Sequence, residues 1–405
     1  MVSRLATSIS ALVALVLTAC TASPAVDSAQ SSGTSSAQSS GASSPSQSAA
    51  LSLPAASPMP GTPFAVQPLG AFDEPWALAF LPGGFDALVT ERRGTLVLRH
   101  ADGRTVDVEG VPTVAYGGQG GLGDVIVSPT FATDRTVYLS WAASGEGGTG
   151  AEVGRGRLVG DGTSARLENF TVIWRQQPKV DGSGHFGHRL AFSPDGEYLF
   201  VTSGERQKMS PAQDLTNNLG SIVRLNPDGT PAAGNPFADR GGVAAEIWTY
   251  GHRNPLGLAF DASGNLWSSE MGPQGGDELN LVVEGRNYGW PQASNGSHYG
   301  GAEIPDHREG DGFEAPKVWW NPSISPGSLM IYSGTRFPAW RGDAFLPALS
   351  GQGLARVDLQ GTTARKADEW NFGARVRAVG QAPDGSLWVL EDGGNGRLLR
   401  LTRAG

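Results

Sequence analysis

His185 and His188 stand three residues apart in the run His185-Phe186-Gly187-His188-Arg189-Leu190-Ala191-Phe192. An imidazole titrates near pH 6.5 (about 6.5 when unperturbed), so either ring suits proton transfer at working pH, and either suits a metal. Zinc needs more than this pair. No third His, Cys or carboxylate sits at helical spacing, and strand alternation would put the two rings on opposite faces. His185 therefore reads as a general base or as an ordinary core or surface histidine. A base needs a group to orient it. Glu205 closes the stretch Leu199-Phe200-Val201-Thr202-Ser203-Gly204, and is either that group or a solvated carboxylate at a strand end.

Other residues suggest an anion site. Arg375 and Arg377 alternate, and alternate residues of a strand share a face. Their guanidiniums form either a fork for carboxylates or a solvated strand face. Arg253 and Asn254 lie in Tyr250-Gly251-His252-Arg253-Asn254-Pro255, a run that alone could be a turn. Gln119 sits among glycines in Gly117-Gly118-Gln119-Gly120-Gly121.

These residues must be held by short strands. The chain has 405 residues, 58 of them Gly and 27 Pro, which implies many tight turns rather than long helices. Turn signals precede apolar strand patterns again and again. Ser193-Pro194-Asp195-Gly196 leads into Tyr198-Leu199-Phe200-Val201, Asp261-Ala262-Ser263-Gly264 into Leu266-Trp267-Ser268-Ser269, and Pro383-Asp384-Gly385 into Leu387-Trp388-Val389-Leu390. Leu88, Val137, Leu199, Leu266, Phe345 and Leu387 mark six such units. The pattern predicts an all-β chain, a six-bladed β-propeller with long loops, with a pair of β-sandwiches as the alternative. The formal net charge of -9 and the lack of a basic face argue against a nucleic-acid partner.

The blocks around His185 and His252, the run Gly272-Pro273-Gln274-Gly275-Gly276-Asp277-Glu278, and Asn287-Tyr288-Gly289-Trp290-Pro291 occur in one order over most of the chain. In that combination the sequence resembles the soluble quinoprotein sugar dehydrogenases, the glucose/sorbosone dehydrogenase family. The resemblance implies a six-bladed propeller that oxidises aldose sugars at C1 with pyrroloquinoline quinone (PQQ) and calcium. It makes His185 the base that takes the proton of the sugar hydroxyl, with Glu205 bonded to its ring. It assigns Gln119, Arg253, Asn254, Arg375 and Arg377 to the cofactor, and Trp320 to its plane or, alternatively, to blade packing. The carbonyls of Gly272 and Pro273 would hold the active-site calcium. Glu278 and the Tyr288 carbonyl would hold a second, structural calcium, although Glu278 also reads as a surface charge. The chain departs from the pattern at Gly184, where relatives have Asp or Asn, and at Met271, where they have Gln or His. It departs again at Ser350, where relatives carry a cofactor-binding Lys. Two rival readings are a non-catalytic carbohydrate- or protein-binding propeller and a calcium-dependent lactonase, which would need carboxylate and Asn ligands around the central channel.

Residues 1–19 read as a secretory signal: Arg4 supplies the charge, and the apolar run from Ala11 to Leu17 is too short to span a membrane. Leu17-Thr18-Ala19-Cys20 fits a lipobox, with acylation of Cys20 as the expectation. Cys20 is the single cysteine, so the mature domain is expected to have no internal disulfide. Residues 20–60 are Ser, Ala, Gly and Pro with few large apolar side chains, the composition of a flexible tether. The globular domain is expected over 61–405. The protein would be lipid-anchored outside the cytoplasm, in the periplasm or at the cell surface, and would touch the membrane only through that anchor. Its electrons would pass to a membrane quinone or an extracytoplasmic redox protein.

Overall fold

The computed structural model describes residues 54–404. The expected signal segment, Cys20 and the tether up to residue 53 lie outside the described residues. Ser57–Pro58 already pair with Ala65 and Val66, ahead of the expected boundary at 61.

The described chain is all-β, with one four-residue helix at Phe131–Asp134 and a few 3-10 turns. The turn chemistry explains the strand starts. Asp195 accepts the Glu197 N–H at 3.0 Å, Asp261 the Asn265 N–H at 2.9 Å and Asp384 the Ser386 N–H at 3.0 Å. Gly196, Gly264 and Gly385 follow with φ of 77°, 84° and 78°, which only glycine adopts without strain. Each tight turn returns the chain antiparallel to itself.

Three sheets are four-stranded meanders: Gly187–Phe192 to Ile247–Tyr250, Pro255–Phe260 to Val318–Trp320, and Met330–Ile331 to Thr363–Asn371. An eight-stranded sheet holds two more, Pro75–Phe80 to Thr105–Glu109 and Leu122–Val127 to Ala165–Arg175. Their outer strands join through the parallel pairs Val108–Ala165 and Glu109–Arg166. In a five-stranded sheet the N-terminal strand Phe64–Phe72 pairs with the C-terminal strand Gly396–Arg403, which ties the two ends of the domain together. The six marker residues, Leu88 to Leu387, all lie buried in the second strand of their set.

The first strands of these sets lie side by side. Pro75–Phe80 packs on Leu122–Val127, which packs on Gly187–Phe192, then Pro255–Phe260, then Met330–Ile331, and Val376–Gln381 returns to Pro75–Phe80. Where they converge, one buried side chain reaches most of them. Arg189 Nε donates to the Leu256 carbonyl at 2.7 Å, Nη1 to Asp124 Oδ1 at 2.9 Å and Nη2 to the Gly327 carbonyl at 2.8 Å. Its guanidinium lies 4.0 Å from the Trp76 ring centroid. Burial pulls Arg189 down and pushes Asp124 up from their ordinary pKa values, and each opposes the shift of the other. The pair survives burial because each nitrogen of that fork has an acceptor. Arg189→Met, which leaves Asp124 buried without its partner, should lower stability by about 3–5 kcal/mol. Chemical denaturation of the purified domain measures this; an unchanged midpoint would refute the role given to Arg189.

Candidate active site

Two adjoining cavities open where loops leave the converging strands. The first, about 270 Å³, is lined by Trp76, Arg92, His188, Asn254, Arg375 and Arg377. The second, about 480 Å³, is lined by His185, Arg253, Gly272, Pro273, Tyr299 and Ser350. Gln119, Met271 and Ser325 border both.

His185 lies just ahead of the strand Gly187–Phe192, not within it, with φ of 51°. Strand alternation therefore does not govern it, and the expected opposition to His188 gives way to two rings lining neighbouring cavities. His185 Nδ1 meets Glu205 Oε1 at 2.5 Å. Glu205 is wholly buried; its Oε2 accepts the Met209 N–H at 2.6 Å, and its own N–H donates to the Arg253 carbonyl at 2.9 Å. The carboxylate fixes the imidazole with a proton on Nδ1, so Nε2 is the nitrogen available to a ligand. A Cβ on Gly204 would lie 2.2 Å from the His185 carbonyl oxygen, so only glycine lets these two segments approach. Burial lowers the His185 pKa, Glu205 opposes this, and Arg253 and Arg206 lower it further. These shifts favour the neutral ring, whose Nε2 can accept a proton.

His188 is a floor. It stacks on Trp76 at 5.0 Å and 13°, its Nδ1 lies 2.9 Å from Ser140 Oγ, and burial pushes its pKa down to about 3. With Trp76 and Arg189 it fills the centre of the ring of strands, where a lactonase would place carboxylate ligands.

Arg375 and Arg377 converge as expected, although Arg375 precedes the strand and the pairing shifts register between Val376 and Ala378. Both donate to Asp392, Arg375 Nε at 2.9 Å and Arg377 Nη2 at 2.8 Å. Burial would raise Asp392, but Arg377 and Arg375 outweigh it and hold the carboxyl below its ordinary pKa. Asp392 orients both forks, and the remaining Nη donors of Arg375 have no acceptor among the described residues. With Arg92 this wall carries a surplus of positive charge beside a flat floor, which fits a planar polyanion.

Asn254 accepts the Gly187 N–H at 3.2 Å, and Gln119 accepts the His185 N–H at 2.7 Å. Arg253 donates to the Met271 carbonyl at 3.0 Å, the Gly272 carbonyl at 2.7 Å and Tyr299 Oη at 3.1 Å. Its buried Nε has no partner among the described residues. Trp320 is not brought to either cavity. It packs against Trp267 and Leu279 and donates to Glu369 at 2.9 Å, so the blade-packing alternative describes it, and Trp76 is the tryptophan that lines the first cavity.

Gly272 and Pro273 line the second cavity, and backbone carbonyls are oxygen donors of the hard kind calcium takes. A cation at the Gly272 carbonyl would share it with Arg253. Glu278, Glu270, Gly272 and Tyr288 surround a third space of about 10 Å³, the room of one ion or water. Burial and the charge of Glu270 hold the Glu278 carboxyl well above its ordinary pKa, so Glu278 is no surface charge. Among the described residues no three His, Cys, Asp or Glu side chains converge on one point, so calcium here would need backbone carbonyls.

The sequence reading passed over Asp392, Arg92 and a second imidazole–carboxylate pair. His252 Nδ1 lies 2.9 Å from Glu270 Oε1, and Glu270 Oε2 accepts the Arg253 N–H at 2.7 Å. His252 stands in the same Gly-His-Arg-Asn run as Arg253, which was the available signal.

Comparison with known proteins finds relatives over most of the chain. The chain is 40% identical over 340 residues to the aldose sugar dehydrogenase of Escherichia coli K12, covering 82% of this chain and 90% of that one. It is 26% identical to quinoprotein glucose dehydrogenase B of Acinetobacter calcoaceticus, covering 80% of this chain and 84% of that one. The PQQ-bound aldose sugar dehydrogenase of Streptomyces coelicolor superposes with a TM-score of 0.69 at 32% identity, over 84% of this chain and 98% of that one. The model of the family described as Glucose / Sorbosone dehydrogenase matches residues 72–400, which takes in every strand that lines the two cavities. The chain belongs to the glucose/sorbosone dehydrogenase family.

Proposed function

We propose that this protein is a quinoprotein that oxidises aldose sugars at C1 to lactones, on a six-bladed β-propeller. The blade count rests on the six four-strand sets whose first strands follow one another in a ring. The observation that carries the function is the pairing of two sites: His185, tied through Nδ1 to a buried carboxylate, beside a cavity walled by Arg375, Arg377 and Arg92. The aldose sugar dehydrogenase of Streptomyces coelicolor has a PQQ-bound form, and a planar tricarboxylate suits this wall.

PQQ, when bound, supplies the two-electron acceptor for the hydride that leaves sugar C1. The protein's own groups do the rest. Arg375 and Arg377 bind carboxylates, and Asp392 holds them in place. The neutral His188–Trp76 stack gives a flat face. His185 Nε2 accepts the proton of the C1 hydroxyl, and Glu205 stabilises the imidazolium that results. Gly272 and Pro273 would offer carbonyls to calcium. Ser350 pairs with Ser325 Oγ at 2.8 Å on the rim of the second cavity, so a neutral hydroxyl stands where relatives carry a cation. A membrane quinone or an extracytoplasmic redox protein would take the electrons onward.

The test is reconstitution with PQQ and calcium, followed by dye reduction with a panel of aldoses. His185→Asn should lower kcat by about 10²–10⁴ and leave the cofactor's half-saturation unchanged. Arg377→Ala should do the reverse. Loss of a charge-assisted bond of about 1.5–3 kcal/mol raises half-saturation roughly ten- to a hundredfold. An active His185→Asn protein would remove the base from this mechanism.

Calcium at the Glu278 and Tyr288 space is a separate proposal. An ion bound only by the folded state, at a hundred times its Kd, adds about 2.7 kcal/mol. Chelation should therefore lower Tm, and Glu278→Gln should abolish the calcium-dependent part of Tm. A Tm indifferent to both chelator and calcium would contradict it.

The lipobox supports anchoring through Cys20. Cys20→Ala should release the protein from membranes, and a variant that still fractionates with them would count against the anchor.

A further inference from the structure

We propose that Arg206 is a positioning residue that holds His185 in its strained conformation and aims Nε2 into the second cavity. The inference rests on the role given to His185 above.

Arg206 is wholly buried, yet no carboxylate lies within ion-pair distance of it among the described residues. A cation in that position is unfavourable unless its donors are all met. They are met half by the segment that leads into His185 and half by Thr149. Arg206 Nε donates to the Gly184 carbonyl at 2.9 Å, and Nη2 donates to the Gly182 carbonyl at 2.6 Å and to Thr149 Oγ1 at 3.0 Å. Nη1 donates to the Thr149 carbonyl. The peptide N–H of Arg206 donates to the His185 carbonyl at 3.1 Å. The face of the guanidinium lies 3.8 Å from the ring centroid of Phe186, the residue that follows His185. One residue thus grips the chain before, at and after the imidazole.

That grip answers a local strain. His185 has φ of 51° and Arg206 φ of 60°, a region a β-carbon disfavours. Such conformations persist only where the surroundings over-determine them, and they gather at functional sites. Glu205 orients the ring from one side. Arg206 fixes the backbone that carries it, and a small misplacement of a catalytic group can lower a rate by about a hundredfold. The charged groups facing the ring are Glu205, Arg253 and Arg206; burial lowers its pKa first, and the two arginines add to that.

Two variants separate aim from charge. Arg206→Lys keeps a cation without the planar fork; Arg206→Met keeps only the apolar stem. In the apoprotein, the His185 imidazole is followed by NMR against pH, its signal identified by its loss in His185→Asn. The wild-type ring should titrate below its ordinary value. The midpoint should rise in Arg206→Met and move less in Arg206→Lys. In the reconstituted enzyme both variants should keep cofactor half-saturation, because Arg375 and Arg377 are untouched, while kcat falls roughly ten- to a hundredfold and sugar KM changes less. Wild-type kcat and midpoint in folded Arg206→Lys and Arg206→Met would overturn the proposal. Should Arg206→Met not fold, an Arg206→Lys enzyme with wild-type kcat does so alone. A wild-type protein inert toward every aldose, but with the imidazole shifts intact, would overturn the catalytic reading and leave the positioning of His185 supported.

Discussion

The converging strands create one physical demand on which the rest depends: the axis they enclose must be filled and its polar backbone met. Arg189 does both. A hydrocarbon could fill the volume, but only a planar fork can donate at once to Asp124, the Leu256 carbonyl and the Gly327 carbonyl. The fork then presents a face to Trp76, and Trp76 presents its other neighbour, His188, to the cofactor cavity. The floor of the site is therefore the top of the structural plug. Its rigidity follows from packing that the fold requires in any case.

The second cavity is bordered by a repeated device, an imidazole joined to a buried carboxylate whose second oxygen takes a backbone N–H. Glu205 joins His185 to the N–H of Met209, and Glu270 joins His252 to the N–H of Arg253. In the first case the imidazole is the base proposed above. In the second the carboxylate fixes the backbone of Arg253, whose side chain then reaches the Met271 and Gly272 carbonyls. Carboxylates in these positions would be unstable alone, because burial penalises their charge. Paired, they turn backbone position into side-chain position.

Much of this was legible in the sequence. The Asp-x-Gly and related turns announced the strands, and every marker residue falls in the strand expected of it. His185 and Glu205 stood out beside glycines, Arg253 in a polar run between two apolar strand patterns, and Arg375 and Arg377 by their alternation. The failures share a cause, which is that sequence spacing does not give partners across sheets. Trp320 looked like a cofactor aromatic, but its indole is drawn into the core by Glu369 and Trp267, while Trp76, in an ordinary strand pattern, reaches the site. Asp392 carries no signal of its own in the sequence, and only the fold brings it to Arg375 and Arg377. Strand alternation misplaced His185 because positive φ at His185 and His188 breaks the period of two.

The most direct test of the chemistry assigned to these cavities is a single turnover. Protein loaded with PQQ and calcium is mixed with an aldose bearing deuterium at C1, and the absorbance of the bound quinone is followed. If hydride leaves C1 beside the His185 base, bleaching is slower than with the protiated sugar. Equal rates for the two sugars, or a bound quinone that no aldose reduces, would contradict that chemistry.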